Sequence, residues 1–189
     1  MARPTMVRVG HFDAYPRIVP RTAAAIRRIR YEDAALISDA FGALGWPGKT
    51  VEQFERYARE DAEGSRTCFV AEADGQIAGY CTLLWESTYP HFRAADIPEI
   101  SDLNVLPSHR NLGVGNLLLD AVERAASERS DSVGLGVGLY ADYGPAQRIY
   151  ARRGYVPDGR GLMYDYAPVQ PGAKIQVDDA ATLMLVLAL

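Results

Sequence analysis

The sequence predicts one mixed α/β layer domain. Three observations lead there. The 189 residues are 48% hydrophobic and 23% charged, the balance of a globular core and not of a disordered chain. From residue 23 onward, stretches of apolar alternation and of helical periodicity follow one another. The order from the hairpin onward runs hairpin, loop, strand, helix, strand, helix, strand, which builds a sheet with helices packed on it.

Residues 1–22 lack clean periodicity, and Pro4, Pro16 and Pro20 interrupt any regular element. They read as an extension that packs loosely on the domain or joins a subunit contact; the domain proper is 23–189. Ile26–Tyr31 reads as a first strand. Asp33 is a cap for the helix that follows, with apolar positions at Leu36, Ile37 and Phe41. Gly45-Trp46-Pro47-Gly48 is a loop. Thr50-Val51-Glu52-Gln53 has the form of a capping box and opens a second helix, to about Ala62.

A hairpin comes next. Cys68–Ala73 and Gln76–Trp85 are strand-like, and Asp74-Gly75 between them favours a type I′ turn. With that turn, Cys68 falls opposite Cys81 in a non-hydrogen-bonded pair, whose Cα atoms lie about 4.5 Å apart. A cross-strand disulfide is then near geometric reach, although two packed thiols are the expectation in a reducing compartment. Glu86–Pro98 reads as loop and Glu99–Leu106 as a strand. Gly113–Glu128 is a helix with Val114, Leu118, Ala121, Val122 and Ala125 on one stripe. Ser132–Tyr140 is a Gly-rich strand. Pro145–Arg153 is a short helix with Pro in its first turn and Gly154 just beyond its end. Gly161–Tyr166 and Ala181–Leu189 are the last strands.

Several function classes are disfavoured at this level. A net charge of −4 gives no global attraction to nucleic acid or anionic membrane. The longest apolar run, Leu183–Leu189, is too short to span a bilayer, and residues 1–24 contain no continuous apolar segment of a secretory leader. A cytoplasmic protein is the expectation. His11, His91 and His109 show no ligand spacing and the two cysteines form no Cys-x-x-Cys pair, so no metal is expected.

The most informative stretch is Glu99-Ile-Ser-Asp-Leu-Asn-Val-Leu-Pro-Ser-His-Arg110-Asn-Leu-Gly113-Val-Gly115-Asn-Leu-Leu-Leu119. A strand enters a glycine-bearing turn that opens a helix. The unpaired N–H groups and partial positive charge of a helix start bind a phosphate or diphosphate. Gly113 and Gly115 allow close approach to the backbone, and Arg110 brings a fixed charge. The glycines alone also fit a tight strand–helix turn. No Gly-Lys-Ser/Thr follows, and Leu118 stands where the dinucleotide fingerprint has its third glycine.

Arg110-Asn-Leu-Gly113-Val-Gly115 resembles the Arg/Gln-x-x-Gly-x-Gly/Ala signature of the GNAT N-acetyltransferases, and Leu103-Asn104-Val105-Leu106-Pro107 looks like the strand that leads into it. Ala146-Gln-Arg-Ile-Tyr150-Ala-Arg-Arg-Gly154-Tyr155 is similar to that family's Ala-x-x-Leu-Tyr-x-x-x-Gly-Phe block. The likeness covers roughly residues 24–166 with the elements in the same order. It implies a central, twisted, mostly antiparallel sheet flanked by about four helices, and acetyl-CoA as co-substrate. The diphosphate would rest on the turn Arg110, Asn111, Leu112, Gly113, Val114, Gly115 and Asn116. The pantetheine arm would pair with the backbone of Leu103, Asn104 and Val105. Where the family often has Asn, this chain has Tyr143, which becomes a candidate contact to that arm.

The reaction implied is attack of an amine on a thioester. A neutral-pH alkylamine is protonated, so a group must take its proton. Glu99 stands where family members with a glutamate base carry it; a solvated strand-start carboxylate is the plain alternative. Alternation puts Glu99, Ser101, Leu103 and Val105 on one face and Asp102 and Asn104 on the other, unless a bulge shifts the parity. Asp102, an acid in mid-strand, needs a partner and is the second candidate base or an anchor for the substrate ammonium. Tyr150 is the candidate acid for the leaving thiolate; a core aromatic is the alternative. Trp46, Tyr89 and Phe92, with His91, sit where the resemblance places acceptor-binding loops. Glu86, Asp96 and Asp102 would attract a cationic acceptor. The acceptor implied is a small-molecule primary amine, with a protein amine second, in a direct ternary complex without an acetyl-enzyme. The N-terminal extension and the apolar C-terminal strand are candidates for a homodimer contact. A non-catalytic acyl-CoA-binding module and a nucleotide-phosphate-binding domain are the competing readings.

Overall fold

The computed structural model describes residues 24–46 and 48–189; the extension expected over 1–22 lies outside them. The first strand, β1 (Ala25–Arg28), is shorter than its apolar stretch. It leads into α1 (Asp33–Gly42), whose N-cap is Glu32 with no side-chain cap. The expected cap, Asp33, is the first helical residue. Its buried carboxylate instead receives both terminal nitrogens of Arg27, at 2.7 and 2.8 Å, and the Arg30 amide at 2.7 Å. A buried carboxylate paired with a forked guanidinium ties strand to helix more firmly than a cap would. Ala34, Ile37 and Phe41 face inward, while Leu36 is exposed. α2 (Val51–Glu63) starts as its capping sequence requires: Thr50 Oγ1 accepts the Gln53 amide at 3.3 Å.

β2 (Arg66–Ala73) and β3 (Gln76–Leu84) form the hairpin, with Asp74 and Gly75 both at positive φ. The pairing shifts by one residue between Ala71 and Glu72. Cys68 therefore lies opposite Thr82, and Cys81 opposite Phe69. A one-residue slip turns a side chain to the other face: Cys68 packs with Phe54 and Tyr80, Cys81 with Leu118 and Tyr150. The cross-strand cysteine pair expected from the turn is thus corrected by a bulge that the sequence does not announce, and both thiols are free.

A short helix, α3 (Pro90–Ala94), stands where loop was expected. Then come β4 (Glu99–Val105), α4 (Val114–Ser127), β5 (Ser132–Gly138), α5 (Gly144–Arg153), β6 (Val156–Tyr164), β7 (Ala167–Pro168) and β8 (Ala181–Ala188). The sheet order is β1-β2-β3-β4-β5-β8-β6-β7, and only β4 and β5 run parallel. The last strand inserts between β5 and β6, a placement that alternation cannot reveal. α4 packs on one face through Val114, Leu118, Leu119 and Val122; α1 and α2 cover the other through Ile37, Phe41 and Phe54. A third, smaller cluster of Tyr89, Phe92, Met163 and Met184 lies near the β5–β8–β6 end.

Two sheet features position the site. First, β4 and β5 pair only at Glu99–Gly134 and Ile100–Leu135; beyond these the strands part. Second, β4 carries a bulge: Tyr80 pairs with Asn104 and Thr82 with Ser101, so Asp102 and Leu103 together oppose Cys81. Asp102 takes the left-handed conformation, φ +56°. The parity switch anticipated as an exception is what the strand adopts. Ile100, Leu103 and Val105 all reach the α4-side core.

Candidate active site

The parting strands leave a cleft of about 260 Å³, lined by Glu99, Asp102, Gly136, Tyr143, Tyr166 and Asp179 among others. Its floor depends on glycine. Gly134, Gly136 and Gly138 recur at period two along β5 and so share one face. A β-carbon at Gly134 would lie 2.2 Å from the Phe92 ring, and one at Gly138 would lie 2.4 Å from the Tyr143 ring. These rings occupy the space that side chains on β5 would take.

Glu99 is the buried acid of the cleft, 3% exposed. Ser87 Oγ donates to its Oε2 at 2.5 Å and the Tyr166 hydroxyl to its Oε1 at 3.0 Å. Burial pushes its pKa up, partly offset by these hydrogen bonds. A raised carboxylate lies closer to neutral pH, where a base that must take a proton and then release it works best.

Asp102 is arranged otherwise. Its Oδ1 receives Lys49 Nζ and Asn104 Nδ2, both at 2.6 Å. Its Oδ2 receives the Tyr80 hydroxyl at 2.9 Å, the Tyr57 hydroxyl at 3.0 Å and Gln53 Nε2 at 3.1 Å. Five donors, one of them an ammonium, saturate both oxygens. That leaves no free lone pair for a proton from substrate, and it makes Asp102 the knot joining β4, β3, α2 and the loop before α2.

Beyond the end of β4, Arg110, Asn111 and Leu112 turn the chain into α4. Asn111 stands at φ +60° and Gly113, the N-cap, at φ +91°, with no side chain capping the helix. Among the described residues, the amides of Asn111 through Asn116 donate no hydrogen bond. Gly115 faces Val105 and Ile149 at 3.8 and 4.0 Å from where a β-carbon would be, so the helix start sits close against β4. The Asn116 side chain turns away to accept from Arg153. The Arg110 guanidinium folds back: its Nε donates to the Val105 carbonyl at 3.1 Å, and it lies 5.5 Å over the Trp46 ring.

The remaining candidates fall in four places. Tyr150 is buried on α5, its ring 5.6 Å from Tyr155, and its hydroxyl has no partner among the described residues. Burial raises its pKa, with a smaller push from Cys81, so it keeps its proton at neutral pH. Tyr143 lines the cleft and donates to Asp179 at 2.9 Å. Trp46, Tyr89 and Phe92 do not line it. Trp46 packs on Phe41 at 5.4 Å. Tyr89 and Phe92 are buried against each other at 4.9 Å, behind Glu99, with the Tyr89 hydroxyl on Asp158 at 2.8 Å. Their aromatic bulk is spent on the third core cluster. The lining that sequence reasoning missed is Tyr166, Asp165, Asp179 and Thr182, from the β6–β7 turn and the approach to β8. The period-two glycines of β5 were the one available signal for a cleft there.

No helix among the described residues is long and apolar enough to cross a membrane, and none of their His, Cys, Asp and Glu side chains form a group able to hold a metal.

The structure thus sets a strand that parts from its parallel neighbour beside a glycine-capped helix start, within a mixed α/β sheet fold, and comparison with known proteins gives the class. The model of the acetyltransferase (GNAT) family matches residues 32–155. The chain belongs to the GNAT acetyltransferase family. It is similar to an uncharacterized N-acetyltransferase of Chlorobaculum tepidum, 31% identical over 110 residues, which are 58% of this chain and 64% of that protein. The match thus spans a little under two thirds of that relative. In fold it resembles an acetyltransferase-like protein of Salmonella typhimurium solved with its cofactor acetyl-CoA (TM-score 0.64, 18% identity, 87% of this chain and 93% of that one). It also resembles a chimeric spermidine N-acetyltransferase from Vibrio cholerae (TM-score 0.62, 14% identity, 87% and 95%).

Proposed function

We propose that this chain transfers the acetyl group of acetyl-CoA to a primary amine of a small molecule, by direct attack within a ternary complex. The observation that carries the reading is the meeting, in one cleft, of a buried carboxylate of raised pKa with the parting of β4 from β5. The residues fit the coenzyme. The free amides from Asn111 to Asn116 suit its diphosphate. The open inner edge of β4, at Leu103 to Val105, offers backbone groups to the amides of the pantetheine arm. Acetyl-CoA supplies the activated acyl group and its thiolate leaves.

Glu99 accepts the ammonium proton, freeing the lone pair that attacks the thioester carbonyl. A backbone N–H at the β4 bulge polarises that carbonyl. Tyr150 donates its proton to the departing sulfur, and the second proton, shed by the attacking nitrogen as the amide forms, restores the tyrosine hydroxyl. The lining supports an acceptor that arrives as a cation: Glu99, Asp165 and Asp179 face the cleft, Asp102 being paired with Lys49, and among the described residues no Lys or Arg lines it. A fold neighbour named for spermidine is in keeping with that charge.

The test is thiol release from acetyl-CoA against a panel of amines, amino acids and polyamines. Amine-dependent release that Glu99→Gln slows, most strongly at low pH, supports the reading. Coenzyme binding with no release against any amine would leave the non-catalytic acyl-CoA-binding module.

A further inference from the structure

The two hydroxyls on Glu99 come from distant parts of the chain. Ser87 follows β3; Tyr166 lies 67 residues beyond Glu99, in the turn between β6 and β7. That turn has two residues, Asp165 and Tyr166, since Tyr164 pairs with Ala167. Both take positive φ, +50° and +62°. A two-residue turn of this kind is ordinarily filled by Asn-Gly or Asp-Gly, because a β-carbon is strained there. A tyrosine in such a conformation persists only where its surroundings hold it, and such strain clusters at functional sites.

The surroundings do hold it. The Tyr166 ring lies 5.7 Å from Tyr89, whose hydroxyl is fixed by Asp158 of β6. The Tyr89 amide in turn donates to Ser87 Oγ at 3.0 Å, and Arg93 Nε donates to the Ser87 carbonyl at 2.9 Å. Both hydroxyls that touch Glu99 are therefore braced by one shared set of contacts.

We propose that Tyr166 is a positioning residue for Glu99: the strained turn exists to bring its hydroxyl onto the carboxylate, which it and Ser87 grip from opposite oxygens. The proposal rests on the reading of Glu99 as base. Each hydroxyl stabilises the charged form, so losing either one leaves the proton harder to release. The other ionisable groups around Glu99 are Asp102 on its own strand, Asp165 beside Tyr166, Asp179 before β8 and Tyr143 across the cleft. Glu86 and Arg93 lie beyond Ser87 on the far side, and Asp158 sits behind Tyr89. β5 contributes none.

The test needs no acceptor. The full chain is labelled with 13C at glutamate carboxyls and titrated by NMR, with Glu99→Gln identifying the Glu99 signal. Tyr166→Phe, which removes one oxygen, moves the Glu99 midpoint to higher pH; Ser87→Ala does the same, and together they move it further. Thermal melting of each variant checks that it is folded. A role confined to packing would lower the melting midpoint and leave the titration in place. Turnover with an amine found active in the thiol-release panel falls about three- to tenfold in Tyr166→Phe on the acid side of the profile, and less on the alkaline side. A Glu99 titration in Tyr166→Phe and Ser87→Ala that overlays the wild type overturns the proposal. If the titration moves but Glu99→Gln releases thiol as fast as wild type with that amine, the positioning stands and the base assignment falls.

Discussion

Replacing Asp102 by Asn keeps the shape of the knot and removes its charge. Of the two oxygens, Oδ2 is the easier to replace by an amide. The Tyr57 and Tyr80 hydroxyls can rotate to accept, and Gln53 Oε1, buried with no partner, can turn to meet the new N–H. The Oδ1 side cannot adapt. Lys49 Nζ sits 2.6 Å away, and the side chains of Lys49 and Asp102 are only 15% and 16% exposed. An ammonium left without its counter-charge in such a place costs about 3 kcal/mol, the lower end for a broken buried pair. At about 2–4 °C per kcal/mol for a chain of this length, the melting midpoint drops by roughly 6–12 °C. The assay is thermal unfolding at pH 7 of Asp102→Asn, Lys49→Met and the double variant. The double variant should be less destabilised than the sum of the singles, because it strands no charge. Asp102→Asn should also keep the shape of the pH–rate profile. An unchanged midpoint together with loss of the acid limb would refute the reasoning and make Asp102 the base.

Four further outcomes are expected. Glu99→Gln lowers kcat mainly at low pH, where the amine most needs a base, with little change in acetyl-CoA affinity. Because the folded carboxyl binds its proton more tightly than the unfolded one, the contribution of Glu99 to native stability is fullest below the ordinary glutamate value and is lost as pH rises through the raised one; Glu99→Gln should remove that loss, read as the difference in melting midpoint from wild type against pH. Tyr150→Phe slows turnover with little loss of fold, and an unaltered rate would make water the proton source. Gly134→Ala drives a β-carbon into the buried Phe92 ring and destabilises by about 1–3 kcal/mol, measured by urea unfolding; a neutral effect would mean that the α3 segment yields freely.

Local chemistry carried much of the fold. The Thr50 capping box, the Asp74-Gly75 turn and the glycine entry to α4 each act within a few residues, so their sequence is their structure. The same locality makes the glycine turn ahead of α4 legible, the turn proposed to hold the diphosphate. Features set by pairing between distant strands were not. The bulge near Ala71 separates Cys68 from Cys81, and the insertion of β8 beside β5 is a long-range choice. Glu99 stood out as a candidate through the resemblance, counted back from the glycine turn, but its two hydroxyl partners carried no signal: Ser87 lies in a loop without a pattern, and Tyr166 occupies a turn whose residues advertise nothing of the kind. Tyr89 and Phe92, expected as acceptor contacts, lie in a small core, and aromatics in a loop look the same in sequence whether they face a ligand or fill such a core.

A crystal structure with acetyl-CoA bound tests the account where it is most exposed. The diphosphate should lie on the amides of residues 112–116, with the pantetheine arm along Leu103 to Val105 and the thioester in the cleft beside Glu99. A diphosphate bound elsewhere, or a thioester on the side of β4 away from Glu99, would contradict it.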